Sequence, residues 1–167
     1  RRRHSMKLSV RTESINLTKT ASLHKQLEAI DELPGSDVSR LFKQLGDVDE
    51  GIKPTFQAIS SYAAALLGER DYSAPSVIHR FVMGRVDDDI AELMQDLGAC
   101  YDLRCNTLSN LATLLTDRRG EVSSKNQVVV DASLVTLFQL RDASEQASML
   151  CQDFSHCSAA LTVSNSA

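Results

Sequence analysis

The sequence predicts an all-α fold, and three observations carry that expectation. Residues 76–119 contain no proline, and their apolar side chains recur in steps of three and four, the helical period. Only three prolines and seven glycines occur in 167 residues, so few positions interrupt a helix. Alternating apolar and polar residues, the pattern of a strand, are confined to the first twenty positions. The expected architecture is an elongated antiparallel helical bundle of three long helices plus a short N-terminal helix, with an extended or strand-like N-terminal arm. The arm is assigned to residues 1–20, the bundle to 21–161 and a polar tail to 162–167.

In chain order, the arm opens on the cluster Arg1-Arg2-Arg3. Leu8 and Val10 alternate with polar residues, as do Ile15 and Leu17, which suits two short strands or an extended segment better than a helix. These seven residues are the candidate partner-binding set. Ser5 follows two arginines in the manner of basophilic kinase sites, and a phosphate there would add roughly −1.5 to −2 charges to the arm. Leu23, Leu27, Ile30 and Leu33 then share one face of a short helix over residues 22–33, which Pro34-Gly35 ends. Ser36 or Asp37 caps the next helix, which keeps its stripe to Gly68. Gly46, Gly51 and Pro54 interrupt it, so a kink or break is expected near residues 46–54.

The centrepiece is residues 73–120. Ser73 is the candidate N-cap, Pro75 falls in the first turn, and Arg118-Arg119-Gly120 makes a cationic, permissive end. Val82, Val86, Ile90, Leu93, Leu97 and Tyr101 begin its stripe, and Cys105, Leu108, Ala112 and Leu115 continue it. Gly84 and Gly98 are the candidate bends, and a break at Gly84 is the alternative to one unbroken helix. A short connection over residues 121–125 leads to a last helix with an inward stripe from Val130 through Leu137 and Leu140 to Phe154 and Leu161. Leu93, Leu97, Leu108, Leu137 and Phe154 are the expected core between these two helices. Short connections of this kind make antiparallel neighbours.

The net charge of −4 is unevenly placed. Residues 1–25 hold seven Lys/Arg and one acid, whereas the remainder holds eleven Lys/Arg and twenty-one acids. An acidic body of this kind excludes a nucleic-acid interface on the helices. No apolar run is long enough to cross a membrane. The chain starts with Arg and has no apolar core after its first charges, so we expect a cytoplasmic piece of a longer protein without a signal peptide.

The residues that could carry chemistry form no recognised constellation. Cys100 and Cys105, and Cys151 and Cys157, are spaced five and six apart, so neither pair shares a helix face or chelates a metal alone. Reduced core cysteines are the expectation, with a Cys100–Cys151 bridge across the helical hairpin as the geometric alternative. Asp87-Asp88-Asp89 lacks the glycine turn of a Ca²⁺ loop and reads as a solvated face or a patch for a basic partner. Three positions after His79 stands Val82, where phosphotransfer bundles carry a basic residue. No glycine-rich phosphate loop or nucleophile elbow is present. No cofactor, metal or catalytic residue is therefore assigned.

Antiparallel bundles with one long middle helix occur among BAR-type membrane-curvature domains, syntaxin-type regulatory bundles and tethering-complex subunits. The chain resembles them over residues 22–161 in pattern, and no motif carries the likeness. The functional expectation is a non-enzymatic protein–protein interaction or assembly module that binds a protein partner or itself. A peripheral membrane-binding module, BAR-like or tethering-type and using the basic arm with the first helix, is the alternative.

Overall fold

The computed structural model describes residues 7–8, 10–33, 35–67, 72–73 and 88–165. Among them the fold is all-helical with packed helices. Its elements are α1 (Val10–Glu28), α2 (Gly35–Leu67), α3 (Asp88–Arg118), a 3₁₀ turn (Arg119–Glu121) and α4 (Ser124–Asn165). A two-residue antiparallel ladder, β1 (Lys7–Leu8) on β2 (Tyr72–Ser73), pairs Lys7 with Ser73 and Leu8 with Tyr72.

The first helix begins earlier than its stripe suggests. Residues 10–20, expected as extended arm, are helical, including Val10, Ile15 and Leu17. The two alternating pairs were too short to define a period, and no proline or glycine precedes Pro34. Once Leu23 and Leu27 are anchored, helix propagates backward at little cost, because nucleation is the expensive step. Thr20 joins this ladder by donating its hydroxyl to the Asn16 carbonyl at 2.9 Å. The helix ends at Glu28, and the chain then tightens so that Ile30 N–H bonds Leu27 O and Leu33 N–H bonds Ile30 O. Both side chains remain buried.

The expected break in the second helix does not occur: α2 is continuous through Gly46, Gly51 and Pro54. All three lie on its exposed side, so the carbonyl that Pro54 leaves without a donor faces water. Leu45, Val48, Asp49 and Ile52 hold the opposite side in the interior. In the centrepiece, α3 is described from Asp88, and residues 74–87, with Pro75, His79 and Gly84, lie outside the described residues. The helix is also continuous at Gly98, which is a close-approach residue, not a bend. A Cβ there would meet the Cys151 Cβ at 3.0 Å. α4 extends to Asn165, so residues 162–165 of the expected tail are helical.

Contacts fix the directions of neighbouring helices. Gly98 faces Cys151, Asp102 faces Ser148 and Arg119 faces Asp131, so α3 and α4 run antiparallel. Asp49 meets Arg104 and Gly51 meets Cys100, so α2 runs antiparallel to α3. One contiguous apolar cluster joins Leu23, Leu27 and Ile30 of the first segment to Leu41, Leu45, Leu108, Leu111, Leu137 and Leu140. It stops at a polar layer of Asp49, Arg104, Ser144 and Ser148, all buried. Ile52, Met94, Leu97 and Cys151 lie buried beyond that layer. Of the expected core, Leu97, Leu108 and Leu137 are buried and Leu93 is half-buried; the Phe154 side chain lies outside the described residues.

Candidate interaction surface

The residues nominated from sequence fall only partly within the described structure. Arg1, Arg2, Arg3 and Ser5 lie outside the described residues. Leu8 is in β1, while Val10, Ile15 and Leu17 are in α1. The face of α1 that looked amphipathic is spent internally, since Leu23, Leu27 and Ile30 are all core residues. Asp88 and Asp89 open α3, and Asp87 is not described.

The cysteines occupy separate places. Cys100 lies beside Gly51 of α2, not beside Cys151, so the bridge considered across the hairpin is not formed and both thiols are free. Cys151 is packed on Gly98, and burial, with Asp102 adding to it, pushes its thiol up to about 12. A thiol held protonated in this way is a poor nucleophile. Among the described residues no group of three or more His, Cys, Asp or Glu could hold a metal ion, and no helix is long and apolar enough to cross a membrane. His24 is tied into the structure, stacked on Phe42 at 4.3 Å with Nε2 2.8 Å from a Glu28 carboxylate oxygen. An open groove of about 310 Å³ lies between α1 and α4, flanked by Lys19, Gln26, Thr136 and Gln139. The residues that line it include no carboxylate, histidine or cysteine that could act as acid, base or nucleophile.

The surface that does stand out is on α4. Val128 is 69% exposed, Val135 58%, Phe138 40% and Met149 56%. Val128, Val135 and Met149 are separated by multiples of seven residues, and Phe138 is one turn from Val135, so all four fall on one side of the helix. Ser133, Leu137, Leu140, Ser144, Ala147 and Cys151 occupy the inward side. Arg141 lies over the Phe138 ring, 4.8 Å from its centre, and reaches Asp142 at 3.4 Å. Leu103, also exposed, belongs to a different flank of α3, next to Cys100 and Thr107.

The near end of this surface is fixed by two polar clamps. Arg119 grips Asp131 through two parallel hydrogen bonds of 2.6 and 2.9 Å, which holds the Asp131 carboxyl below its usual range. Glu32 accepts hydrogen bonds from the Ser123 N–H, the Ser123 hydroxyl and the Asn126 amide, tying the α1–α2 connection to the start of α4. Its pKa is lowered, first by Asn126 and then by the Ser123 N–H.

The sequence reading missed this surface because it tracked a single inward stripe from Val130 onward. The signal was available: Val128, Val135 and Met149 keep a seven-residue interval outside that stripe. No protein-family model, no curated protein and no solved structure matches the chain.

Proposed function

We propose that the chain is a non-enzymatic interaction module, an elongated antiparallel helical bundle that docks another helical protein on its α3–α4 hairpin. The observation that supports this reading is the exposed set Val128, Val135, Phe138 and Met149 on one side of α4. Large apolar side chains exposed together on one side of a helix favour a partner over solvent. The geometry of the thiols and of the α1–α4 groove gives no comparable support to an enzyme. The membrane-surface alternative needs an apolar face on α1, and Leu23, Leu27 and Ile30 are already engaged in the core.

Two measurements on the full chain test the module. Light scattering across concentration reads self-assembly, and reversible cross-linking in cell extract reads partners. Both are repeated with Val135→Ser/Phe138→Ser, whose substituted positions are exposed and should leave the melting temperature within about 0.5 kcal/mol equivalent. Assembly or cross-links that this variant loses support the reading. A monomer whose cross-links are identical in both proteins would sink it.

A further inference from the structure

The exposed side of α4 mixes two kinds of side chain in one register. Along one line, seven residues apart, stand Val128, Val135, Asp142 and Met149. The line beside it reads Asp131, Phe138, Glu145 and Gln152. All eight are exposed. Apolar rungs and carboxylates therefore share the same seam. On the facing helix Asp102 of α3 adds a further carboxylate, which accepts the Ser148 hydroxyl at 2.5 Å. The nearby Cys105 thiol of α3 is pushed up by burial and then by Glu145, with Asp102 and Asp142 acting the same way and Arg141 opposing them. Two cations bordering the surface are already engaged, Arg119 holding Asp131 and Arg141 lying on Phe138 and Asp142, while Lys125 stands exposed one turn before Val128.

A partner that covers Val135, Phe138 and Met149 must also take Asp142 and Glu145 out of water. A desolvated carboxylate is strongly unfavourable unless a cation meets it. A second copy of this seam brings no such cation. Paired in parallel it sets Asp142 against Asp142 and Glu145 against Glu145; paired antiparallel it sets those acids against Val, Phe or Met. A helix that interleaves apolar residues with Lys or Arg satisfies both demands at once.

We infer that the outer side of α4, rimmed by Asp102, is a docking seam for a basic amphipathic helix of a partner protein. The partner's apolar rungs seat on Val128, Val135, Phe138 and Met149, and its cations meet Asp142 and Glu145. This inference rests on the interaction-module reading and names the chemistry of the partner.

The test uses the full chain and two labelled synthetic helices. Both carry Leu at the seam positions; one has Lys at its flanks and the other has Glu there. Fluorescence anisotropy is titrated at physiological ionic strength, with melting curves confirming that each variant folds. The Lys helix should saturate and the Glu helix should not. Val135→Ser/Phe138→Ser should weaken the Lys helix about tenfold, a loss typical of removing central apolar contacts. Asp142→Lys/Glu145→Lys should lose the Lys helix and acquire the Glu helix. Equal binding of the Lys helix to all three proteins overturns the proposal, since the attraction would then be diffuse charge. Self-association that Phe138→Ser abolishes, with no binding of the Lys helix, overturns the basic partner and leaves the module standing. A chain that neither self-associates nor binds either helix overturns both.

Discussion

Arg104 is a cation, yet it is among the largest side chains fully enclosed in the interior, 1% exposed. Its Nε lies 3.3 Å from an oxygen of Asp49, itself 7% exposed. Nothing in the helical period marks either residue, because periodicity reports apolar positions. The pair sits where α2 crosses α3, at the level of Ser144 and Ser148. Two charges in this setting do not add much stability over apolar residues of similar size, but removing one of them is costly. Asp49→Ala should therefore lower stability in urea unfolding by up to roughly 3–5 kcal/mol, because it removes a carboxylate 3.3 Å from the buried Arg104 guanidinium. The double change Asp49→Leu/Arg104→Met should recover most of that loss. A single variant as stable as the parent would mean that other partners or water compensate Arg104. What the pair contributes is register: sliding α2 along α3 by one turn would strand both charges.

At the scale of elements, the sequence made the existence of the helices legible and their ends illegible. The stripes of Leu23–Ile30, Leu97–Leu115 and Val130–Cys151 were readable because long periodic runs leave no strand alternative. The continuity of α2 was not readable, because proline cost depends on whether the freed carbonyl meets water, which is a property of the packed helix. Gly98 shows the same dependence. Placed in a helix, glycine reads as weakness, yet here its missing Cβ lets α4 come close. Gly98→Ala gains up to ~1 kcal/mol of helix propensity but forces a Cβ to 3.0 Å from the Cys151 Cβ. Neither atom can rotate away, and overpacking of this kind typically costs ~1–3 kcal/mol. A lowered melting temperature is expected, with partial rescue by Cys151→Gly; no rescue would place the strain elsewhere. The Glu32 clamp makes a second prediction for element docking. Its pKa is lowered in the fold, so its contribution is present above the ordinary carboxylate range and lost as pH falls through and below it. The stability difference between the parent and Glu32→Ala should be full at neutral pH and close in acid. A gap independent of pH would show that charge on Glu32 has no part in holding α4.

For the whole molecule, the polar layer divides the interior. On one side, α1 and the first half of α2 close over the end of α3 and the start of α4, and the apolar cluster there is contiguous. On the other side, Ile52, Met94, Leu97 and Cys151 are buried, but outside that cluster. Local opening is governed by how many apolar contacts a segment loses, so the two sides should not open together. Residues 108–115 and 130–140 should exchange their amide hydrogens only through global unfolding. Residues 94–100 and 147–151 should exchange through a lower-energy opening that leaves the cluster intact. Leu111→Ala, inside the cluster, typically costs ~2–5 kcal/mol and should raise exchange in residues 108–115 and 130–140, while leaving the lower-energy opening of residues 94–100 and 147–151 unchanged, because the cluster stays folded in that opening. Leu97→Ala should raise exchange in both sections, because its side chain is released in the local opening and in global unfolding alike. Identical protection of the two sections in the parent would make the core one cooperative unit. The layer of Asp49, Arg104, Ser144 and Ser148 would then be a seam that transmits packing, not one that divides it. The proposed docking seam spans this boundary, with Val128 and Val135 over the cluster and Met149 over the second section. A bound helix should therefore protect residues 147–151 more than residues 130–140, which are already slow. The order of protection on binding reads the division directly.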